Sequence, residues 1–262
     1  MVKISISFKE YLKNTILKDK NINKYYLKQY PNSKYKLNDI LDDILYVLKT
    51  GISWRDLKSS VNWQSAYSHF QRFTKFNIFE KMYLSFRSDY FINNKTDIQL
   101  IDSTFIMNKF GKNHIARNMF FKNKNCNKVS FITDVNGVPL SVLVKTGNIH
   151  DLHFTEPHIN DLYFLNKKHN TKITLLADKA YESKNLKTSI TASNYSLMIP
   201  KKSNAKTTYP FDPNLYKKRI FVEHSFQKLK IFRRIAIRYD SLLKTYLSFL
   251  FLAVSQIIFK KI

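Results

Sequence analysis

The spacing of apolar residues changes its period near Thr96, and that change constrains the fold more than any other feature of the chain. Before it, Leu37, Ile40, Leu41, Ile44, Leu45 and Leu48 recur at i, i+3, i+4 and i+7 and predict a helix, with Gly51 as its stop. Ser53 caps a short second helix holding Trp54 and Leu57, a third runs from about Trp63 to Phe76, and a fourth from about Ile78 to Asn93. After the change, Ile98 to Met107 (IQLIDSTFIM) reads as a buried strand. Val129 to Val135 and Leu140 to Lys145 read as two more, joined by a hairpin turn at Asn136-Gly137. Helix and strand then alternate: helix at Phe154 to Lys167, strand at Ile173 to Ala177, helix at Ser183 to Ala192, strand at Ser196 to Ile199, and a polar loop from Lys201 to Pro213. Three strands able to pair antiparallel, followed by this alternation, describe an α/β domain with a mixed sheet. The expected division is a helical region over residues 1–94 and an α/β domain with C-terminal helices over residues 95–262. Residues 1 to 35 are polar and weakly periodic, and are expected to form a short helix and a loose arm ending near Pro31.

Three short helices around a Gly turn suggest a helix-turn-helix unit. Its third helix carries polar and basic side chains, Gln64 and Arg72 among them, able to meet bases and phosphates. A plain helical bundle with a solvated polar face fits the same residues. The formal charge is +25, from 44 basic against 19 acidic side chains, and favours an anionic partner such as nucleic acid or an acidic membrane surface. Part of it has a blander source, because abundant Lys, Asn, Ile, Tyr and Phe with only 4 Gly and 6 Pro is what an AT-rich genome imposes on any protein. Cys126 is the only cysteine, which excludes an intrachain disulfide and a cysteine-based zinc site and fits a reducing compartment. The N-terminus lacks the apolar stretch of a secretory signal. The apolar run Tyr246 to Phe259 is too short for a membrane span and is expected to be a buried helix.

Asp102 lies in the middle of an otherwise apolar and β-branched strand, and Asp178 ends the strand that begins at Ile173. A buried carboxylate is costly unless it is paired, hydrogen-bonded or bound to metal, and the C-terminal edge of strands in an open α/β sheet is where sites assemble. A third acid, Glu223, stands in the stretch Leu215 to Tyr239 with Tyr216, Arg219, Lys230 and Arg234 at offsets of −7, −4, +7 and +11. At about 100° per residue these fall within roughly 40° of Glu223 on one helix face. Phe221, Val222, Phe226, Leu229 and Phe232 fill the opposite, buried arc. Three carboxylates on separate elements, with no thiol cluster, point to Mg2+ or Mn2+. Two such ions about 4 Å apart activate an attacking water or 3′-hydroxyl and stabilise the leaving oxygen of a phosphodiester. Strand-embedded acids also serve as N-caps or ion-pair partners, and the pattern alone leaves both readings open. His150, His153 and His158 offer a zinc reading, but loop histidines at that spacing fit solvated or helix-start contacts better.

The stretch Tyr216-x2-Arg219-x3-Glu223-x6-Lys230 matches the Y-x2-R-x3-E-x6-K pattern of the IS4-like DDE superfamily, and the chain resembles the IS5 group of transposases within it. Other segments agree in order. Gly51 to Leu57 resembles that group's G-x-x-W-R-D-L, Asn136 to Leu140 its D-x-x-G-x-P-L hairpin, Thr146 to Asp151 its T-G-x-x-x-D, and Ala177 to Tyr181 its A-D-K-G-Y. The resemblance covers about Leu37 to Phe259. It implies an RNase H-like catalytic domain in which Asp102, Asp178 and Glu223 bind the metals, while Tyr216, Arg219 and Lys230 contact DNA near the cut. It further implies cleavage of double-stranded DNA at terminal inverted repeats, strand transfer into target DNA, and a homodimer in the synaptic complex. A domesticated or inactive derivative that only binds DNA is the alternative. Such a chain works inside the cell, in the cytoplasm or nucleoid of a prokaryote, or in the nucleus or viral factory of a eukaryotic or viral host. Two departures stand out: Ala180 replaces the glycine of A-D-K-G-Y, and His224 follows the helix acid where relatives carry Arg.

Overall fold

Strand β1 (Ile98–Asn108) organises a seven-stranded mixed sheet in the computed structural model, which describes residues 6–27, 35–167, 172–183, 193–200 and 211–262, with residues 186, 188 and 190. It pairs antiparallel with β3 (Lys124–Thr133), from Leu100 opposite Thr133 to Met107 opposite Cys126. On its other edge it runs parallel to β5 (Ile173–Leu176), with Leu100 opposite Leu176. β4 (Pro139–Thr146) extends the antiparallel side beside β3, and β6 (Tyr195–Met198) extends the parallel side beside β5. The order β4-β3-β1-β5-β6 is that of an RNase H-like sheet. β2 (Ala116–Asn118) on β3 and β7 (Ile237–Arg238) on β1 complete it. Segments of two or three residues are too short to show a period, which is why the sequence does not announce them.

The turn between β3 and β4 is built as its residues require. Gly137 adopts φ +70°, and the Asp134 carboxylate accepts the N–H groups of Asn136 and Val138 at 2.9 and 2.8 Å and the Tyr90 hydroxyl at 2.6 Å.

The helical region comprises α1 (Ile6–Lys18), α2 (Lys20–Leu27), α3 (Leu37–Thr50), α4 (Trp63–Lys75) and α5 (Ile78–Asn93). α3 stops at Gly51, whose φ of 70° lets its N–H return to the Val47 carbonyl at 2.9 Å. Ser53 accepts the Arg55 N–H to start the short turn Trp54–Asp56, and Asn62 accepts the Gln64 N–H to start α4. Pro31, the loop 201–210 and much of the helix expected over Ser183 to Ala192 lie outside the described residues. Beyond β4, α6 (Thr155–Lys167) leads to β5.

The stretch expected as one long helix is divided. α7 (Pro213–Tyr216), a 3-10 turn (Lys217–Arg219) and α8 (Ile220–Lys230) follow one another. The chain then breaks at Phe232, which is extended, before α9 (Arg233–Ala236) and β7. The final helix, α10 (Leu243–Phe259), is buried along most of its length and packs on α5, with Phe249 stacked on Phe70 of α4 at 4.3 Å and Phe251 on Tyr83 at 5.3 Å. One hydrophobic core therefore runs from the helices into the sheet. No helix among the described residues is long and apolar enough to cross a membrane.

Candidate active site

The parallel register of β1 and β5 brings two of the three acids to one level. Leu100 lies opposite Leu176, so Asp102 on β1 and Asp178, just past the end of β5, each follow two residues later. Asp178 turns the chain there, its Oδ1 accepting the Ala180 N–H at 2.7 Å. Ala180 is not among the described non-glycine residues with positive φ, so the Cβ that replaces the relatives' glycine costs no strain.

Glu223 arrives on α8, which packs across β1 and β3. Val222, Phe226 and Leu229 form its buried face, and Phe226 stacks on Phe131 at 4.7 Å, the residue directly opposite Asp102 in the sheet. Phe221, expected in that arc, is 37% exposed, because at about 100° per residue it lies roughly 140° from Phe226, at the edge of the buried face. α8 is pinned to the hairpin by Ser225, whose hydroxyl donates to the Gly137 carbonyl at 2.6 Å.

Arg219 ties the helix side to the strand side. Its Nη2 lies 3.1 Å from Asp102 Oδ2, while Nη1 donates to the Tyr216 hydroxyl at 3.1 Å. Lys230, at the other end of α8, donates to Thr104 Oγ1 at 2.6 Å. Thr104 lies two residues beyond Asp102, on the same face of β1. Tyr216, Arg219, Glu223 and Lys230 are therefore brought against the Asp102 side of the sheet.

Arg234 is not. It is buried in a bidentate ion pair with Asp240, at 2.7 and 3.2 Å, with Phe249 under its guanidinium. The break at Phe232 ends the helical phase that put Arg234 on the stripe, so the structure does not bring it to the acid cluster. Gln64 and Arg72 lie on α4, outside this cluster. Gln64 is exposed, and burial, with a smaller contribution from the Arg72 charge, pushes the pKa of the neighbouring His69 down to about 4.

The electrostatics are those of an acid cluster short of positive charge. Burial pushes the Asp102 carboxyl up to about 6, the Asp178 and Glu223 carboxylates add to this, and Arg219 and the Ser103 N–H offset only part of it. The pair is asymmetric. Burial opposes the charge on Arg219, yet Asp102 and Tyr216 more than offset it and raise its pKa.

Tyr181 joins the cluster, although sequence reasoning gave it no role beyond closing the stretch Ala177 to Tyr181. Its hydroxyl is buried with no hydrogen-bond partner among the described residues. Burial first, then Asp151, Asp102 and Asp178, hold its pKa well above the usual phenol range. Ser103, on the opposite face of β1, donates to Asp151 at 2.5 Å, and Asp151 pairs with Lys128 at 2.9 Å.

Oxygen-only donors and an orphaned hydroxyl fit a hard divalent cation in kind. Among the described residues no three His, Cys, Asp or Glu side chains close around a single point, and Arg219 supplies the positive charge at Asp102. The histidines form no such set either. His158 is buried between the Ser141 and Ser130 hydroxyls at 2.8 and 3.0 Å, and His150 accepts the Leu152 N–H.

Two family models match this chain: "Transposase DDE domain" over residues 93–257, which contains all three acids, and "Putative transposase of IS4/5 family" over residues 24–83. The chain belongs to the DDE transposase family. It is thus an enzyme that cuts DNA and transfers strands. This transposase is 30% identical over 132 residues to the "Putative transposase for insertion sequence element IS6501" of Brucella ovis, covering 50% of this chain and 95% of the relative. Its fold is similar to that of the piggyBac transposase in a synaptic complex with hairpin DNA. The TM-score is 0.58 at 10% identity, over 97% of this chain and 74% of the other.

Proposed function

We propose that Asp102, Asp178 and Glu223 hold the catalytic metal ions of this transposase, with residues 95–262 as the catalytic part and residues 1–94 as the part that recognises DNA. The observation that carries this reading is the parallel pairing of β1 with β5, which sets Asp102 on one and Asp178 just past the end of the other at equal remove from paired residues, with the Glu223 helix packed over the residue opposite Asp102. The family implies divalent metal; here it is Mg2+ or Mn2+, as a pair, supplying Lewis acidity to the attacking and leaving oxygens of a phosphodiester. Arg219 and Lys230 bind the phosphates that flank the scissile one, and Tyr216 orients the Arg219 guanidinium through its hydroxyl. Gln64 and Arg72 contact the duplex further from the cut. The substrates are the element's terminal inverted repeats and a target duplex, held by a homodimer inside the cell. Water breaks a P–O bond to leave a 3′-hydroxyl at the element end, and that hydroxyl then displaces a 3′-oxygen in the target strand.

The test is Glu223→Gln on a supercoiled plasmid carrying the inverted repeats, with Mg2+ or Mn2+. The variant is expected to bind the repeats with unchanged affinity and to lose both nicking and joining. Nicking at the wild-type rate overturns the assignment.

A further inference from the structure

Two arginines of this chain hold a partly or fully buried carboxylate, and they do so differently. Arg234 presents the Nε and Nη2 edge of its guanidinium to Asp240 and makes both contacts, at 3.2 and 2.7 Å, with the two side chains 8% and 4% exposed. Arg219 uses only half of that edge. Its Nη2 lies 3.1 Å from Asp102 Oδ2, while its Nε is buried with no hydrogen-bond partner among the described residues. The Arg219 and Asp102 side chains are 13% and 23% exposed, so the pair is open to a ligand from solvent.

A buried donor left unpaired is destabilising, and two N–H groups on one guanidinium edge fit two oxygens of one phosphate. The half-used edge of Arg219 is therefore matched to a phosphate better than to the single Asp102 oxygen it meets. Asp102 stands in the complementary position. Its Oδ1 accepts the Ser103 N–H at 2.8 Å and its Oδ2 faces Arg219, so both oxygens are engaged. A divalent cation on this carboxylate stands beside the guanidinium, and like charges at that range repel. Lys230 raises no such conflict, because its ammonium donates to the neutral Thr104 hydroxyl. Arg219 closes the 3-10 turn Lys217–Arg219, ahead of α8, so its side chain can turn outward with Glu223 left in place.

We propose that Arg219 is an exchange latch, which keeps Asp102 from a metal ion until a DNA phosphate takes the guanidinium, so that DNA and metal each promote binding of the other. The proposal rests on the reading of Asp102 as a metal ligand and Arg219 as a phosphate contact, and adds that the two roles are taken up together. Free protein keeps Asp102 ion-paired, and protein on DNA releases it. By linkage, the factor by which DNA tightens metal binding equals the factor by which metal tightens DNA binding.

The test is binding of Mn2+ to the full protein, read from the paramagnetic resonance signal of the free ion, alone and with a duplex. The duplex carries the terminal repeat and ends at its cleaved 3′-hydroxyl, so no reacting phosphate is present to hold the ion, and its own uptake of Mn2+ is subtracted. It is expected to tighten Mn2+ binding to the wild type by about tenfold or more, since an adjoining Arg changes the affinity of a carboxylate for a proton by roughly ten to a thousandfold. Arg219→Gln is expected to bind Mn2+ about tenfold more tightly than the wild type without DNA, and to lose most of the gain from the duplex. Lys230→Gln removes the same charge from the same helix without freeing an acid, and is expected to change the DNA-free affinity by less than about threefold, as a screened charge does. Equal tightening in the two variants reduces the effect to net charge and overturns the proposal. So does wild-type Mn2+ binding that the duplex leaves unchanged, a result that needs no variant to fold. Asp102→Asn tests the underlying reading separately: Mn2+ binding that survives it at wild-type strength removes Asp102 from the metal site, and the latch with it.

Discussion

Gly137→Ala is expected to disable the transposase by moving the helix that carries Glu223. Gly137 sits in the β3–β4 turn at φ +70°, where an alanine costs about 1–2 kcal/mol from its Cβ alone. That Cβ stands 2.8 Å from the Phe221 carbonyl oxygen and 2.8 Å from Ser225 Oγ. The first contact is backbone of α8 and cannot rotate aside, so the helix must shift, at about 1–3 kcal/mol for an overpacked site. The summed loss of about 2–5 kcal/mol is measurable by urea unfolding as a lower midpoint with an unchanged slope. Displacement of a catalytic group by a fraction of an ångström to 1 Å costs up to about a hundredfold in rate, which plasmid nicking reads directly. Ser225→Ala removes one of the two clashes, so the double variant is expected to be more stable than the sum of the singles by at least about 0.5 kcal/mol. Wild-type stability and nicking in Gly137→Ala, or strict additivity with Ser225→Ala, refutes the coupling of hairpin to catalytic helix.

Three further outcomes follow from side chains already described. His158 is held down to about 3 by burial, and secondarily by Lys145. The stability it contributes is complete above its unfolded pKa of about 6.5 and is lost as the pH falls towards 3, about 4–5 kcal/mol in all; His158→Gln is expected to flatten that part of a pH–stability curve. Arg234→Met leaves Asp240 buried without its partner and is expected to cost about 3–5 kcal/mol in unfolding experiments, whereas a DNA contact would have shown in salt-dependent affinity instead. Lys230→Gln is expected to reduce the slope of log affinity against log salt by about 0.9, one phosphate's worth, with folding stability almost unchanged.

The two periods in the sequence translate into the observed layers because each reports burial of one face, which is also what packing rewards. Asp102 was legible for the same reason in reverse: a charge in an apolar strand has to be explained by something around it. What stayed hidden was tertiary or unmarked. The break at Phe232 has neither Gly nor Pro to announce it, and Arg234 leaves the stripe only because Asp240 and Phe249 wait for it inside the core. Tyr181 carries no periodic signal, since its importance lies in the burial of its hydroxyl beside Asp178 of its own stretch and Asp151 and Asp102 of other segments. Asp102 and Arg219 each stood out in the sequence, but not their ion pair, because the packing of strand against helix through Phe131 and Phe226 brings them together.

The burial of α10 against α4 and α5 also orders events on the ribosome. The N-terminal helices are translated early, yet the apolar faces of α4 and α5 are covered by a helix that emerges only after the whole sheet has been made. Chains interrupted before Leu243 keep those faces in water. Such fragments expose the apolar surface on which proteases and chaperones act. The same helix thus makes closure of the helical layer conditional on the whole sheet, with Asp102 and Asp178, having already been synthesised.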